Sequence, residues 1–136
     1  MYYFAYGLLL NKKLMAGRCP DCKSRFAADL PNYKLIFSGW SRQWKGGTVS
    51  IKRSARDRVL GGVFEIADKD LSRLDAAEGC PDTNSRLKVT VYRDSGEAGE
   101  AVEAFTYIRT RPAEESKPSP EYLAELRKGY HDWGLI

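Results

Sequence analysis

Glu78 is the residue whose position conflicts most with its chemistry. Leu71, Leu74 and Glu78 stand at i, i+3 and i+7, so on a helix the carboxylate shares the apolar face. It also falls in the turn before Gly79, where a helix presents negative partial charge. Desolvation and that dipole both disfavour the ionised form and raise the carboxyl above its ordinary titration range. A carboxyl tuned in this way suits proton transfer near neutrality. The plain alternative is a glutamate at the helix edge that turns to solvent or pairs with an arginine, the commoner fate of a glutamate.

Other reactive residue types are weaker candidates. Cys19-Pro20-Asp21-Cys22 has C-x-x-C spacing, but a structural zinc site wants four ligands and only Cys80 and His131 remain to complete one. Three cysteines, an odd number, fit a reducing compartment, so Cys19 and Cys22 are expected as ordinary reduced thiols with no metal. His131, beside Tyr130, is expected at a helix end or on the surface. No arrangement of a Ser or Cys nucleophile is visible. Tyr122 stands at helical spacing with core residues, and Trp40, Trp44 and the Gly46-Gly47 pair read as core packing and a tight turn rather than as the lining of a cavity.

The elements that must position these residues follow from pattern. Residues 2–6 are aromatic-rich and read as a strand stopped by Gly7, and residues 8–15 as a short helical turn broken at Arg18-Cys19-Pro20. Residues 33–40 read as a strand after the turn signal Pro31-Asn32, with further strands at 48–53 and 59–66. Residues 86–93 alternate Leu87, Val89 and Val91 against Lys88, Thr90 and Tyr92, the period of a half-buried strand. A turn beginning at Asp94-Ser95-Gly96 and a return over 101–109 complete a hairpin. Asp68 opens one helix that ends at Gly79, and Ser119-Pro120-Glu121 opens another carrying Leu123, Leu126, Tyr130 and Trp133. Residues 111–118, charged and with two prolines, read as an exposed connection. Many strands, few helices and no βαβ alternation indicate an α+β fold with a curved or closed sheet.

At 136 residues the chain suits a single domain over 1–136, and an apolar share of 43% sustains one core. The net charge of +4 is spread over scattered Lys and Arg rather than a basic stripe with interleaved aromatics, so no nucleic-acid partner is expected. No apolar run approaches the ~20 residues of a membrane span. No basic leader or cleavage site is seen at the start, and a cytoplasmic location is expected.

A set of motifs in order then resembles the γ-glutamylcyclotransferase (AIG2-like) family. Tyr3-Phe4-Ala5-Tyr6-Gly7 resembles its YFAYGSN opening, and Arg18-Cys19-Pro20 the RCP that follows in bacterial members. Residues 30–37 (LPNYKLIF) are similar to LPGYRLVF, and Gly61-Gly62-Val63-Phe64-Glu65-Ile66 to WGVVYEL. Leu74-Asp75-Ala76-Ala77-Glu78-Gly79 resembles LDxxEG, and Pro118-Ser119-Pro120-Glu121-Tyr122-Leu123 with Gly134-Leu135 resembles the PSPxYL…GL tail.

The resemblance implies a small mixed β-barrel with a few packed helices and a substrate cavity at its mouth. It implies cyclisation of a γ-glutamyl amide to 5-oxoproline with release of an amine or amino acid, without metal or organic cofactor. Glu78 takes the role of general acid/base; Tyr6, Gly7, Leu8, Leu9 and Leu10 correspond to the substrate loop, with Tyr122 at the cavity border. The same likeness places Cys19 in a loop. The implied partner is a small-molecule γ-glutamyl substrate, with a homodimer left open. Where the family has Ser-Asn in its loop this chain has Leu8-Leu9, and after Glu78 it has Asn84-Ser85-Arg86 in place of Gly-Tyr-Arg. The alternative is therefore a ligand- or partner-binding module of the same fold with impaired turnover.

Overall fold

Among the described residues five strands close into a barrel in the order β1-β3-β2-β4-β5, accompanied by three helices. The computed structural model describes residues 1–93 and 99–136, so the expected turn at Asp94-Ser95-Gly96 lies outside the described residues. The strands are β1 Tyr2–Ala5, β2 Lys23–Ser41, β3 Gly46–Glu65, β4 Asn84–Arg93 and β5 Glu100–Arg109. Neighbouring strands pair antiparallel except β1 and β5, which meet in parallel at Tyr3 and Phe105 and close the barrel.

The expected alternation holds in β4, where Leu87, Val89 and Val91 are more buried than Lys88 and Thr90. It divides the core in two. Phe4, Tyr6, Ala28, Leu30, Ile51, Val59, Val63 and Val91 form one cluster, drawn from the inward positions of the strands. Tyr3, Ala5, Leu10, Met15, Phe64, Leu74 and Tyr107 form the other, between barrel and helices. Successive residues of β1 thus serve opposite layers, which explains why its whole length is apolar or aromatic.

Two expectations about strands are corrected. Pro31-Asn32 is not a turn between elements but an irregularity within the continuous β2: Pro31 pairs with Arg58 and Tyr33 with Arg53, so β3 residues 54–57 bulge opposite Asn32. Asn32 and Arg56 take positive φ values of 67° and 71°, the local backbone twist that absorbs the extra residues. For the same reason 48–53 and 59–65 belong to one strand, β3, with Ile66 just past its end.

A 3₁₀ turn, Leu8–Leu10, leads into helix α1 (Lys12–Arg18). Asn11 Oδ1 accepts from Lys13 N at 3.1 Å and Leu14 N at 3.3 Å, which caps α1. A second 3₁₀ turn, Asp68–Asp70, precedes α2 (Leu71–Glu78), and neither Asp68 nor Asp70 caps it through its side chain. The acid-rich start acts only as favourable charge at a helix N-terminus. Helix α3 (Pro120–Asp132) starts as expected: Ser119 Oγ accepts from Tyr122 N at 3.3 Å and Pro120 takes the first turn. Its far end docks through Trp133, whose Nε1 donates to Leu10 O at 2.8 Å and whose ring meets Phe64 edge-on at 5.3 Å.

The connection over 111–118 is exposed in its side chains but not free in its backbone. Gly39 N donates to Glu114 O at 2.9 Å, Ser116 N to Phe37 O at 3.0 Å and Gly47 N to Lys117 O at 3.0 Å. A Cβ on Gly47 would lie 2.5 Å from Ser116 O, so Gly47 is there for close backbone approach rather than for a tight turn. No helix among the described residues is long and apolar enough to cross a membrane.

Candidate active site

Helix α2 ends where Gly79 takes the left-handed conformation at φ 69°, with Cys80 N donating to Asp75 O at 2.9 Å. This Schellman-type end requires no side chain at Gly79 and sets the direction of the residue before it. Asn84 Nδ2 then holds the carbonyl of Glu78 at 2.7 Å, fixing the helix end to β4. The result points the Glu78 side chain back toward the barrel, where Tyr3 Oη donates to Glu78 Oε1 at 3.0 Å.

A cavity of about 540 Å³ opens in front of this pair, within the usual size for small-molecule sites. Tyr3, Tyr6, Gly7, Leu8 and Leu9 contribute one wall from β1 and the 3₁₀ turn. Glu78 and Asn84 contribute the second, Tyr107, Arg109 and Tyr122 the third, and Trp40 and Trp44 the rim. Glu78 supplies the only carboxyl among the described lining residues.

The electrostatics separate a proton exchanger from proton donors. Burial raises the Glu78 carboxyl above its ordinary range, and the hydrogen bond from Tyr3 pulls it partly back down. Burial, and then the charge of Glu78, push the Tyr3 hydroxyl well up, so Tyr3 stays protonated and acts as a donor. Burial likewise raises Tyr6 and Tyr107, and Tyr122 is pushed up to about 12. Tyr6 and Tyr107 are tied into the wall: Tyr6 Oη donates to Tyr107 O at 2.5 Å and Tyr107 Oη to Asp75 Oδ1 at 2.5 Å.

The structure brings Glu78, Tyr6, Gly7, Leu8, Leu9 and Tyr122 to this one cavity. Leu10 is not part of it. It is fully buried, its N–H donates to Gly7 O at 3.1 Å and its carbonyl receives Trp133, because the 3₁₀ turn rotates the third leucine into the core. The N–H groups of Leu8 and Leu9, first in their turn, have no acceptor among the described residues. Leu9 is itself buried at 8% exposure while Leu8 is half-buried, so the leucines narrow the cavity without filling it.

Trp40 and Trp44 correct the core expectation. Trp40 is 69% exposed at the rim, and Trp44 lies edge-on to Tyr122 at 5.5 Å. They sit at the β2–β3 hairpin end, where strand periodicity no longer points into the barrel. Tyr122 is both core and wall: it is 3% exposed, and its hydroxyl accepts from Val49 N at 2.8 Å.

The sequence pattern assigns no site role to Tyr3, Tyr107 or Arg109, and Asn84 stands out in it only as a departure from the family's Gly-Tyr-Arg. A usable signal existed for the two tyrosines, since a phenol placed in an otherwise apolar strand needs a partner for its hydroxyl. Arg109 continues the face of Phe105 and Tyr107 along β5. Its Nη2 donates to Ser38 O and to Thr48 Oγ1, both at 3.0 Å, and its buried Nε has no partner among the described residues.

One group of potential metal ligands lies apart from this cavity: Cys19, Cys22 and Asp70, with ligand atoms within 4.8 Å of one another. Cys19 and Cys22 are joined by a disulfide, which corrects the expectation of reduced thiols. Cys22 N donates to Cys19 O at 3.1 Å, and this turn brings the two Cα atoms to 5.4 Å, within bonding range. His131 is exposed in the last turn of α3, as expected.

The family model described as "Gamma-glutamyl cyclotransferase, AIG2-like" matches residues 3–131. The chain is 30% identical over 138 residues to the gamma-glutamylcyclotransferase of Mus musculus, covering 98% of this chain and 71% of that protein. The Homo sapiens gamma-glutamylcyclotransferase matches with the same identity and the same coverage of both chains. A solved structure of a gamma-glutamyl cyclotransferase superposes with a TM-score of 0.90 at 28% identity, over 99% of this chain and 80% of that chain.

Proposed function

The chain belongs to the gamma-glutamyl cyclotransferase, AIG2-like family, and from that premise we propose that it cyclises a γ-glutamyl amide to 5-oxoproline with release of an amine or amino acid. The observation that carries this reading is the Glu78 carboxyl, recessed in a ligand-sized cavity and held by Tyr3 at 3.0 Å.

In the proposed reaction the Glu78 carboxylate takes a proton from the substrate α-ammonium group. The freed amine attacks the γ-carbonyl carbon, forming the ring C–N bond. Glu78 then returns the proton to the leaving nitrogen as the original amide C–N bond breaks. A carboxyl raised by burial is suited to both halves, since it neither holds the proton too weakly nor too tightly. The five-membered ring closes only from a folded substrate, so holding the two ends together removes much of the entropic barrier. The N–H groups of Leu8 and Leu9, which have no acceptor among the described residues, would receive the glutamyl carboxylate, a role that survives loss of polar side chains from the loop. The amine half would then extend toward Trp40, Trp44 and Arg109, where the guanidinium offers a cation to an acidic leaving group.

The test is release of 5-oxoproline from a panel of γ-glutamyl amides by the wild type and by Glu78→Gln. The expected loss in the variant is about 10²-fold or more, the usual worth of a positioned proton carrier. Unchanged turnover in Glu78→Gln would remove Glu78 from the mechanism. Absence of turnover with every amide would leave a binding module of the same fold.

A further inference from the structure

Helix α2 ends at Glu78 and begins immediately after Asp70, about 12 Å away along the axis. Asp70 is 3% exposed, and its Oδ2 has no hydrogen-bond partner among the described residues. It does not cap α2, and the neighbouring Lys69 ammonium goes instead to Asp21 at 3.8 Å. An acceptor oxygen left bare inside a protein is costly, so a structural role alone does not account for it. What faces it is the Cys19–Cys22 disulfide, with a carboxylate oxygen and both sulfur atoms mutually within 4.8 Å. The two sulfurs are unequal: Cys19 is fully buried, while Cys22 is partly exposed.

We propose that Cys19 and Cys22 form a thiol–disulfide exchange site for low-molecular-weight thiols, with Cys22 as the sulfur that meets the thiol and Asp70 as the proton carrier of Cys19. In the reducing direction the thiolate sulfur of an incoming thiol attacks Cys22 Sγ, the reachable end of the disulfide. The bond from the thiol to Cys22 forms, the Cys19–Cys22 bond breaks, and the electron pair leaves on Cys19 Sγ. The Asp70 carboxylate relays to that sulfur the proton that the incoming thiol gave up to solvent. A second thiolate attacks the sulfur of the first, releasing a small-molecule disulfide and the Cys22 thiolate. Oxidation runs the same steps backwards: Asp70 accepts the Cys19 proton as Cys19 Sγ attacks the mixed disulfide on Cys22 and expels the small thiolate. The site lies outside the cavity of Glu78 and does not depend on the cyclotransferase reading.

The probe is N-acetylcysteine together with its own disulfide, a couple that supplies both the reductant and the oxidant; neither carries a γ-glutamyl group, so neither can act as a substrate for the Glu78 cavity. Exchange is followed by intact mass and peptide mapping of the native protein after acid quenching. The wild type is expected to pass between disulfide and dithiol, and Cys19→Ser to accumulate the N-acetylcysteinyl adduct on Cys22. Cys22→Ser, still folded, is expected to leave Cys19 unmodified because that sulfur is buried. Asp70→Asn, of the same shape, is expected to slow exchange by about 10²-fold, at the low end for a positioned proton carrier. If Asp70→Asn does not fold, the contrast between the two cysteine variants decides the matter. Equal labelling of Cys19 and Cys22, or exchange in Asp70→Asn at the wild-type rate, would overturn the proposal. So would stoichiometric capture of added Zn²⁺ by the reduced protein with protection of both thiols, which would assign a metal site instead.

Discussion

Tyr3 Oη lies 3.0 Å from Glu78 Oε1, joining the first strand to the end of the second helix across 75 positions of sequence. Tyr3 itself is wedged between Phe105 at 5.5 Å and Tyr107 at 5.6 Å, so its hydroxyl has little freedom to point elsewhere. One phenol thus orients the carboxyl and favours its ionised form, while burial opposes ionisation.

Replacing Tyr3 by Phe keeps the ring packing and removes only the donor. The Glu78 carboxyl is then expected to rise further, because the contribution that lowered it is gone. Under the proposed reaction, kcat/KM against pH should show its acid limb displaced to higher pH. Stability should fall by about 1 kcal/mol, the net worth of one hydrogen bond. An unmoved acid limb would mean that Tyr3 does not tune Glu78.

Glu78→Gln carries a stability prediction separate from activity. The folded carboxyl titrates above its unfolded value, so the native state binds this proton more tightly. The cost of ionising it is absent below about pH 4.3, grows as pH rises through the interval up to the folded value, and is constant above it. Relative to wild type, Glu78→Gln should therefore gain thermal stability as pH rises from 4 to 8. A Tm difference between the two that is flat in pH would contradict the burial of the carboxyl.

Arg109→Leu tests the far end of the cavity. Turnover of γ-glutamyl amides with an acidic amine half should fall by about tenfold relative to neutral ones, matching loss of a charge-assisted hydrogen bond of ~1.5 kcal/mol. Taking the ratio of substrates cancels any general loss of stability from the bonds to Ser38 and Thr48. An unchanged ratio would remove Arg109 from substrate selection.

Gly79→Ala places a Cβ on a residue at φ 69° and 3.1 Å from the Cβ of Thr83. The left-handed conformation alone costs an L-residue about 1–2 kcal/mol. Thermal unfolding should report that loss, and kcat should fall with it because Gly79 aims Glu78. Leu74→Ala, one turn earlier and fully buried, should cost about 2–5 kcal/mol by leaving a cavity between α2 and the barrel.

Much of the architecture was determined locally. The alternation of Leu87, Val89 and Val91, the cap at Ser119-Pro120 and the left-handed Gly79 are short-range rules, and each appears where its residues stand. The placement of Glu78 on the apolar face of α2 was also legible, because Leu71 and Leu74 lie within two turns of it. Tertiary structure decided the rest, since it depends on residues far apart in the chain. Tyr3 meets Glu78, Arg109 meets Ser38, and Asp70 meets Cys19 and Cys22 only because barrel closure and helix docking carry them together. The bulge at Asn32, which joined segments that read as separate strands, arises because residues 54–57 of the partner strand must be accommodated opposite it. Leu8, Leu9 and Leu10 are chemically alike in sequence. A 3₁₀ turn gives them different surroundings, sending Leu10 into the core and leaving Leu8 and Leu9 at the cavity.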